Sequence, residues 1–338
     1  MGDAKEVITD EVRRRFVVSA LMEESITSSQ LEGASTTRLV AQEMLRYGRA
    51  PRNKSEIMIL NNYRGMRLIS DLCNDPLTKE RVLNLHKILT AGTLDDPRDT
   101  GRLQIPGEER VKVMDQTITH LLHLPPPAEQ LPRRFTEMLK FANDKDKSDW
   151  IHPLIRAIIL HFWLAFDHPF VDGNGRTSRS IFYWYVLKHD YKLFEFLPIS
   201  ALLLEAPAKY YRSFLYTETD DQDLTYFIIH QLETIRKAID RLNEYLNKKM
   251  EQVLRIEKLL KNKKHFNYRQ LALLGHAICH PGTSYTIKSH QNSHEVAYAT
   301  ARSDLLGLSN LNLLTLRKSG HALLFEGPPD LESRVKAL

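Results

Sequence analysis

Cysteine is nearly absent: there are two thiols, Cys73 and Cys279, in 338 residues. So distant a pair forms no spaced framework, which excludes a disulfide-stapled secreted scaffold and predicts a reducing compartment. Long hydrophobic runs are missing too. No apolar stretch approaches the roughly 18 residues a bilayer span needs, and Met1 to Val12 is too charged for a signal peptide. The expectation is a cytoplasmic protein with no membrane association. Two nucleotide-binding devices are also lacking. No G-x-x-x-x-G-K-S/T run occurs, so a P-loop enzyme is unsupported. Where glycines cluster, at 173–175, the third position of a dinucleotide fingerprint holds Ser178, and the preceding segment reads as helix, not strand. His290 and His294 lie four apart with Cys279 and His280 near them, but without the spacing of a zinc site.

The composition that remains is that of a folded chain, 42% hydrophobic and 26% charged, long enough for one large domain and a smaller one. The net charge of +5 is unevenly placed, since Met250 to Gly320 holds ten Lys or Arg against four Asp or Glu. Helical periodicity runs from Asp10 to about Gln30 and stops near Gly33. Glu32 then falls at the helix end whose dipole is already negative, so its carboxylate wants a cation. Alternatively, Ser29-Gln30-Leu31-Glu32 is a capping box opening a second helix. Further helices are expected after the caps Thr36, Ser55 and Thr78, the last closing at Gly92, with His86 on a solvated side. Glu109 to Met114 and Thr119 to Leu124 read as strands turning at Asp115-Gln116. An open edge there can pair with an extended segment of a partner.

Pro153 opens a helix that is apolar on most faces, and it ends at the stretch carrying the chemistry, His168 to Arg179. His152 and His161 beside it read as buried structural histidines, and Phe170 as the anchor of the turn. His168 has a side chain able to take a proton near neutrality. Asp172 is a hard oxygen ligand suited to a magnesium ion riding on phosphate oxygens. Gly173, Asn174 and Gly175 allow a tight turn whose N–H groups point into one concavity, and a helix from near Arg176 adds its positive end. Arg176 and Arg179, three apart, can both reach one polyphosphate.

This run matches HPFx(D/E)GNGRxxR, the signature of Fic-domain proteins, at all nine specified positions: His168, Pro169, Phe170, Asp172, Gly173, Asn174, Gly175, Arg176 and Arg179. Asp167 and Ser178 depart from residues common in the family, both outside the specified positions. Ser28-x-x-x-Glu32-Gly33 likewise resembles the (S/T)xxxE(G/N) inhibitory motif of the class with a built-in N-terminal inhibitory helix. The physical content of that resemblance is competition for one arginine: paired with Glu32, Arg179 cannot hold a γ-phosphate. The hairpin resembles the family's flap, making Glu109, Arg110, Val111, Lys112 and Val113 the implied target-docking residues.

The fold class so implied is mainly α, a Fic-type helical domain with a β-hairpin flap plus a C-terminal winged helix-turn-helix domain. N-terminal helices with the inhibitory motif would occupy 1–92, the catalytic core 93–220, a long connecting helix 221–262 and the winged helix 263–338. Heptads in the connecting helix, from Leu232 to Leu260, fit packing on the catalytic domain or a homodimer seam. In the tail, Tyr268 to Leu274, Val296 to Leu306 and a hairpin turning at Lys318-Ser319-Gly320 carry the winged-helix reading. Lys288, Arg302, Arg317 and Lys318 suit phosphate contact, which leaves DNA binding or a protein-binding role open. The resemblance implies autoinhibited AMP transfer from Mg-ATP to a Ser, Thr or Tyr hydroxyl of a target protein, with pyrophosphate leaving. Transfer of another phosphate-containing group, removal of AMP, and a nucleotide-sensing DNA-binding regulator remain alternatives.

Overall fold

The computed structural model describes residues 10–111, 113–114, 121–143, 150–261, 263, 265–319 and 322–338. The expected turn at Asp115-Gln116, the docking residue Lys112 and the turn residue Gly320 lie outside the described residues. The chain divides into two compact units, Met1–Leu242 and Asn243–Leu338.

The first unit is almost wholly helical: α1 (Asp10–Leu31), α2 (Arg38–Tyr47), α3 (Lys54–Leu72), α4 (Lys79–Thr90), α5 (Leu131–Asn143), α6 (Pro153–Asp167), α7 (Asn174–Lys188), α8 (Ile199–Glu205), α9 (Pro207–Thr219) and the start of α10 (Thr225–Leu260). Two short antiparallel strands, β1 (Val113–Met114) and β2 (Leu121–His123), stand between α4 and α5. They are shorter than the sequence suggests, since 109–111 is not strand. Local signals set the helix starts. Thr78 accepts from the Arg81 N–H as expected, but the caps elsewhere are Thr37 and Asn53 instead of Thr36 and Ser55. Both stretches offer two cap-forming residues within one turn, and Ser55 is drawn aside to accept from the Ser35 N–H.

The α6–α7 pair is the centre, with α3 packed on α7 and α1 on α3 and α8. Ala157, Ile158, Leu160 and Leu164 of α6 are fully buried, each large side chain contributing about 1.5–3 kcal/mol by leaving water. The first half of α10 joins the same core through Phe227, Ile235 and Ala238. Polar residues enter the core too. Arg176, Thr177, Ser178, Arg179 and Ser180 open α7 and are all buried, because the loop before α7 and the helix α1 close over them.

The second unit holds the rest of α10, then α11 (Tyr268–Cys279), β3 (Ser284–Tyr285), α12 (Ile287–His294), α13 (Tyr298–Asn310), β4 (Thr315–Ser319), β5 (Ala322–Glu326) and α14 (Leu331–Ala337). Its sheet is antiparallel in the order β3-β5-β4, with Phe325 opposite both Tyr285 and Leu316. Leu274, Ala301, Leu305, Leu313 and Phe325 form its core. Helices α11 and α13 and the hairpin were legible in the sequence, whereas β3, α12 and α14 were not. Elements of two, seven and eight residues give too little periodicity to read.

Candidate functional site

The site is built at the junction of α6 and α7. Helix α6 ends where His168 takes a left-handed backbone (φ 45°, ψ 53°), a C-cap conformation unusual for a β-carbon residue. Its Nδ1 lies 3.2 Å from the Ala165 carbonyl. A carbonyl only accepts, so Nδ1 carries the proton and Nε2 keeps its lone pair. Burial holds the imidazole pKa down to about 4, assisted by His123 and Arg110 and opposed by Glu32. His168 is therefore neutral at physiological pH.

The loop from 168 to 173 is closed by side chains. Asn174 uses its carboxamide to accept from the Phe170 N–H at 2.9 Å and to donate to the Phe170 carbonyl at 2.8 Å. Both ends of this carboxamide therefore brace the loop. Phe170 is fully buried and stacks on His86 at 3.8 Å. His86 is likewise buried, against the sequence reading of a surface residue. It accepts from the Gly101 N–H at Nδ1 and donates from Nε2 to the Asp172 carbonyl. A signal for this was present, since Val82, His86 and Leu89 fall at i, i+4 and i+7 on one helical face. His161 is buried as expected, 2.9 Å from the Tyr210 hydroxyl, but His152 is an exposed N-cap of α6.

Helix α7 begins at Asn174, two residues before the expected start, with Gly173 as its N-cap at φ 81°. A Cβ on Gly173 would lie 2.6 Å from Thr90 Cγ2, so the turn needs glycine on both counts. Arg176 is fully buried and donates from Nη1 to the Leu89 carbonyl at 2.8 Å. Its Nε and Nη2 have no hydrogen-bond partner among the described residues, and Nη2 is 3.6 Å from Asp172 Oδ2. A fully buried guanidinium with two unused donors is an anion site in physical terms. The Asp172 carboxylate, 54% exposed, accepts the Gly173 N–H at 2.6 Å through Oδ1.

Arg179 is brought together with the N-terminal helix. It donates from Nε to Ser28 Oγ at 2.9 Å, and from Nη2 to the Ser28 carbonyl at 2.9 Å and to Glu32 Oε1 at 2.8 Å. Burial by itself raises the Glu32 pKa, but the charge and hydrogen bond of Arg179, with the charge of Arg176, leave it lowered overall. Burial would likewise weaken the Arg179 cation, and Glu32 reverses that to leave it raised. A Cβ on Gly175 would collide with Glu32 Oε1, so this glycine lets the carboxylate sit against the first turn of α7. Farther back on α1, Glu24 is buried and accepts from the Tyr183 hydroxyl at 2.8 Å and the Ser200 N–H at 2.9 Å. These contacts seat α1 against α7 and α8. Gly33, at φ 88°, ends the helix as expected.

Of the docking residues read from the sequence, Glu109 is exposed and Val111 half-buried, while Val113 lies in β1. Arg110 instead turns inward, donating from Nη2 to the Asp167 carbonyl at 2.6 Å and the His168 carbonyl at 3.0 Å. Asp167, the departure before the histidine, is buried and pairs with Arg134 at 2.6 Å.

Residues 76–186 match the family model described as Fic/DOC family. The chain is 25% identical over 176 residues to a protein adenylyltransferase Fic of Nematostella vectensis, covering 50% of this chain and 38% of that one. To protein adenylyltransferase fic-1 of Caenorhabditis elegans it is 24% identical over 192 residues, covering 56% and 34%. The chain thus spans little more than a third of the length of these curated relatives. Among solved structures, a Fic family protein from Desulfovibrio desulfuricans aligns over 96% of this chain and 90% of its own at 19% identity and a TM-score of 0.63, a likeness of fold. Fic-1 of C. elegans aligns over 71% and 68% at 20% identity with a TM-score of 0.54. Nine matched motif positions, the helical fold around them and the family match together make residues 76–186 a domain of the Fic/DOC family.

Proposed function

We propose that this protein is an autoinhibited adenylyltransferase that moves AMP from Mg-ATP to a Ser, Thr or Tyr hydroxyl of another protein. The observation that carries the reading is the buried Arg176 with two unpartnered donors, eight residues beyond a neutral His168 whose Nε2 lone pair is available. His168 takes the hydroxyl proton, the oxygen attacks the α-phosphorus, and the bond to the β-phosphate breaks, releasing pyrophosphate. Arg176 receives polyphosphate charge in a water-poor setting, where a fixed donor is worth most. The Gly173–Gly175 backbone and the start of α7 add oriented N–H groups.

Magnesium fits the residues present. One half-exposed carboxylate, Asp172, stands at the mouth of the anion site, and no group of three or more His, Cys, Asp or Glu among the described residues could cage a metal. That is the donor set of an ion shared with phosphate, and Asp172 would hold it. When bound, such an ion neutralises phosphate charge.

Inhibition follows from where Glu32 sits. Its carboxylate lies against Gly175 and occupies Arg179, so an anion sits where the terminal phosphate of a productive nucleotide needs the same guanidinium. For the second unit, the order helix, strand, helix, helix, hairpin supports a winged helix-turn-helix reading, with the exposed Lys288 and Arg302 as phosphate contacts to DNA.

The test is incubation of the purified protein and its Glu32→Gly variant with α-phosphate-labelled ATP and magnesium, following label into protein and pyrophosphate into solution. Label rises sharply in Glu32→Gly, and falls about 100- to 10,000-fold when His168→Ala is added. ATP binding without label in either protein would overturn the reading.

A further inference from the structure

Five successive carbonyls at the end of α6 and in the following loop are each claimed by a side chain or N–H from elsewhere. The Phe166 oxygen accepts from His123 Nε2 at 2.6 Å, those of Asp167 and His168 from Arg110, that of Pro169 from the Gln104 N–H at 2.9 Å, and that of Phe170 from Asn174. Three of these four donor residues, Gln104, Arg110 and His123, come from the segment that carries the hairpin. Arg110 is the hub. It precedes β1, donates from Nε to the Pro126 carbonyl just beyond β2 at 2.8 Å, and reaches Gln104 through Nη1. One guanidinium therefore ties both stems of the hairpin to the backbone of the histidine itself.

The histidine needs such a tie. Its left-handed backbone is costly for a residue with a β-carbon, and the α6 carbonyls converge there with partial negative charge. Arg110 Nη2 donates to two successive carbonyls while Nε and Nη1 hold Pro126 and Gln104, so one planar cation supplies opposite charge and fixes four acceptors at once, which the three N–H donors of a lysine ammonium cannot reproduce.

We infer that Arg110 is a positioning residue for His168, coupling the hairpin stems to the orientation of the base. This rests on the adenylyl-transfer reading for its kinetic consequence, though not for its structural one. A segment seated on the hairpin edge bears on His168 through Arg110, so engagement of the target and alignment of the base are one event.

Arg110→Ala and Arg110→Lys, each in the Glu32→Gly background, test this. Label transfer falls about 10- to 100-fold in Arg110→Ala through kcat, with ATP affinity held, as expected when a reacting group is displaced by a fraction of an ångström. Arg110→Lys recovers part of the loss, and free guanidinium added to Arg110→Ala recovers more. The second readout needs no transfer: titration of isotope-labelled histidine by NMR, with the His168 signal assigned by its loss in His168→Ala. Removing the Arg110 cation raises the His168 pKa from about 4, because His123 of β2 and Arg110 oppose its protonation while Glu32, just past α1, favours it. An unchanged titration together with unchanged kcat would overturn the inference. If Glu32→Gly itself transfers no label, the activity fails, and the titration still decides on Arg110: a raised His168 pKa upholds the tie and an unchanged one refutes it.

Discussion

Two regions of the molecule bury charge, and they do it in opposite ways. In the second unit Asp304 of α13 is buried and fully claimed: Arg269 donates to both of its oxygens, at 2.6 and 3.1 Å, Asn267 donates at 2.7 Å, and His290 Nε2 lies 3.3 Å away. Burial alone would raise the Asp304 pKa, yet Arg269 and its neighbours leave it lowered. That cluster joins the start of α11 to α12 and α13, and both oxygens of its carboxylate are taken. At the α6–α7 junction Arg176 is buried with two donors unused, and Arg179 is satisfied by residues about 150 positions away on α1. A complete buried network rigidifies; an incomplete one is a cost the fold carries, and an anion relieves it.

That contrast can be tested at its strongest point with Arg176→Met. In the Glu32→Gly background it should lower label transfer about 100- to 1,000-fold, the usual cost of losing one fixed donor to developing charge. The first unit's melting temperature should hold or rise, because an apolar side chain removes an unsatisfied buried cation. A clear loss of stability would make Arg176 a scaffold residue and erase the contrast. Asp304→Ala should behave in reverse, lowering the melting temperature of the second unit by about 4–8 °C or more, since it strands Arg269, Asn267 and His290 together. If that unit melts unchanged, the cluster is decoration. The smallest effect is in pH. His168, held to about 4, and His161, held well below its usual value, are both depressed mainly by burial. The unfolded chain binds these protons near pH 6.5 and the folded unit does not, so their contribution is full above about 6.5 and declines as pH falls toward about 4. Thermal melts across that range should show the first unit losing stability on acidification; no shift would mean that these histidines protonate without unfolding.

The motif region was legible because it is local. Nine residues within twelve positions carry the turn, the helix start and the two arginines, and the apolar run before them announces a buried helix. Side-chain destinations were less legible. Asn174 reads as one residue of a glycine turn, and that its amide braces the Phe170 backbone on both sides shows only in the fold. Arg110 reads as an exposed docking residue until its carbonyl partners appear 57 and 58 positions away. His86 reads as solvated although Val82 and Leu89 share its helical face, because the group that covers it, Phe170, lies more than eighty positions away in the chain.

What the sequence by itself determined is the kind of chemistry and its local frame: a histidine at a helix end, a glycine turn, an acid and two arginines at the next helix start. These depend on contacts within a few residues, where spacing and backbone geometry are enough. Tertiary structure alone decided which groups are used up and which are left free. The 2.8 Å pairing of Glu32 with Arg179, the burial of Arg176 against the Leu89 carbonyl with two donors left over and the tie of Arg110 to His168 all join segments distant in the chain. Such contacts exist only once the helices have packed, because burial sets both the cost of an unpaired charge and the strength of a paired one.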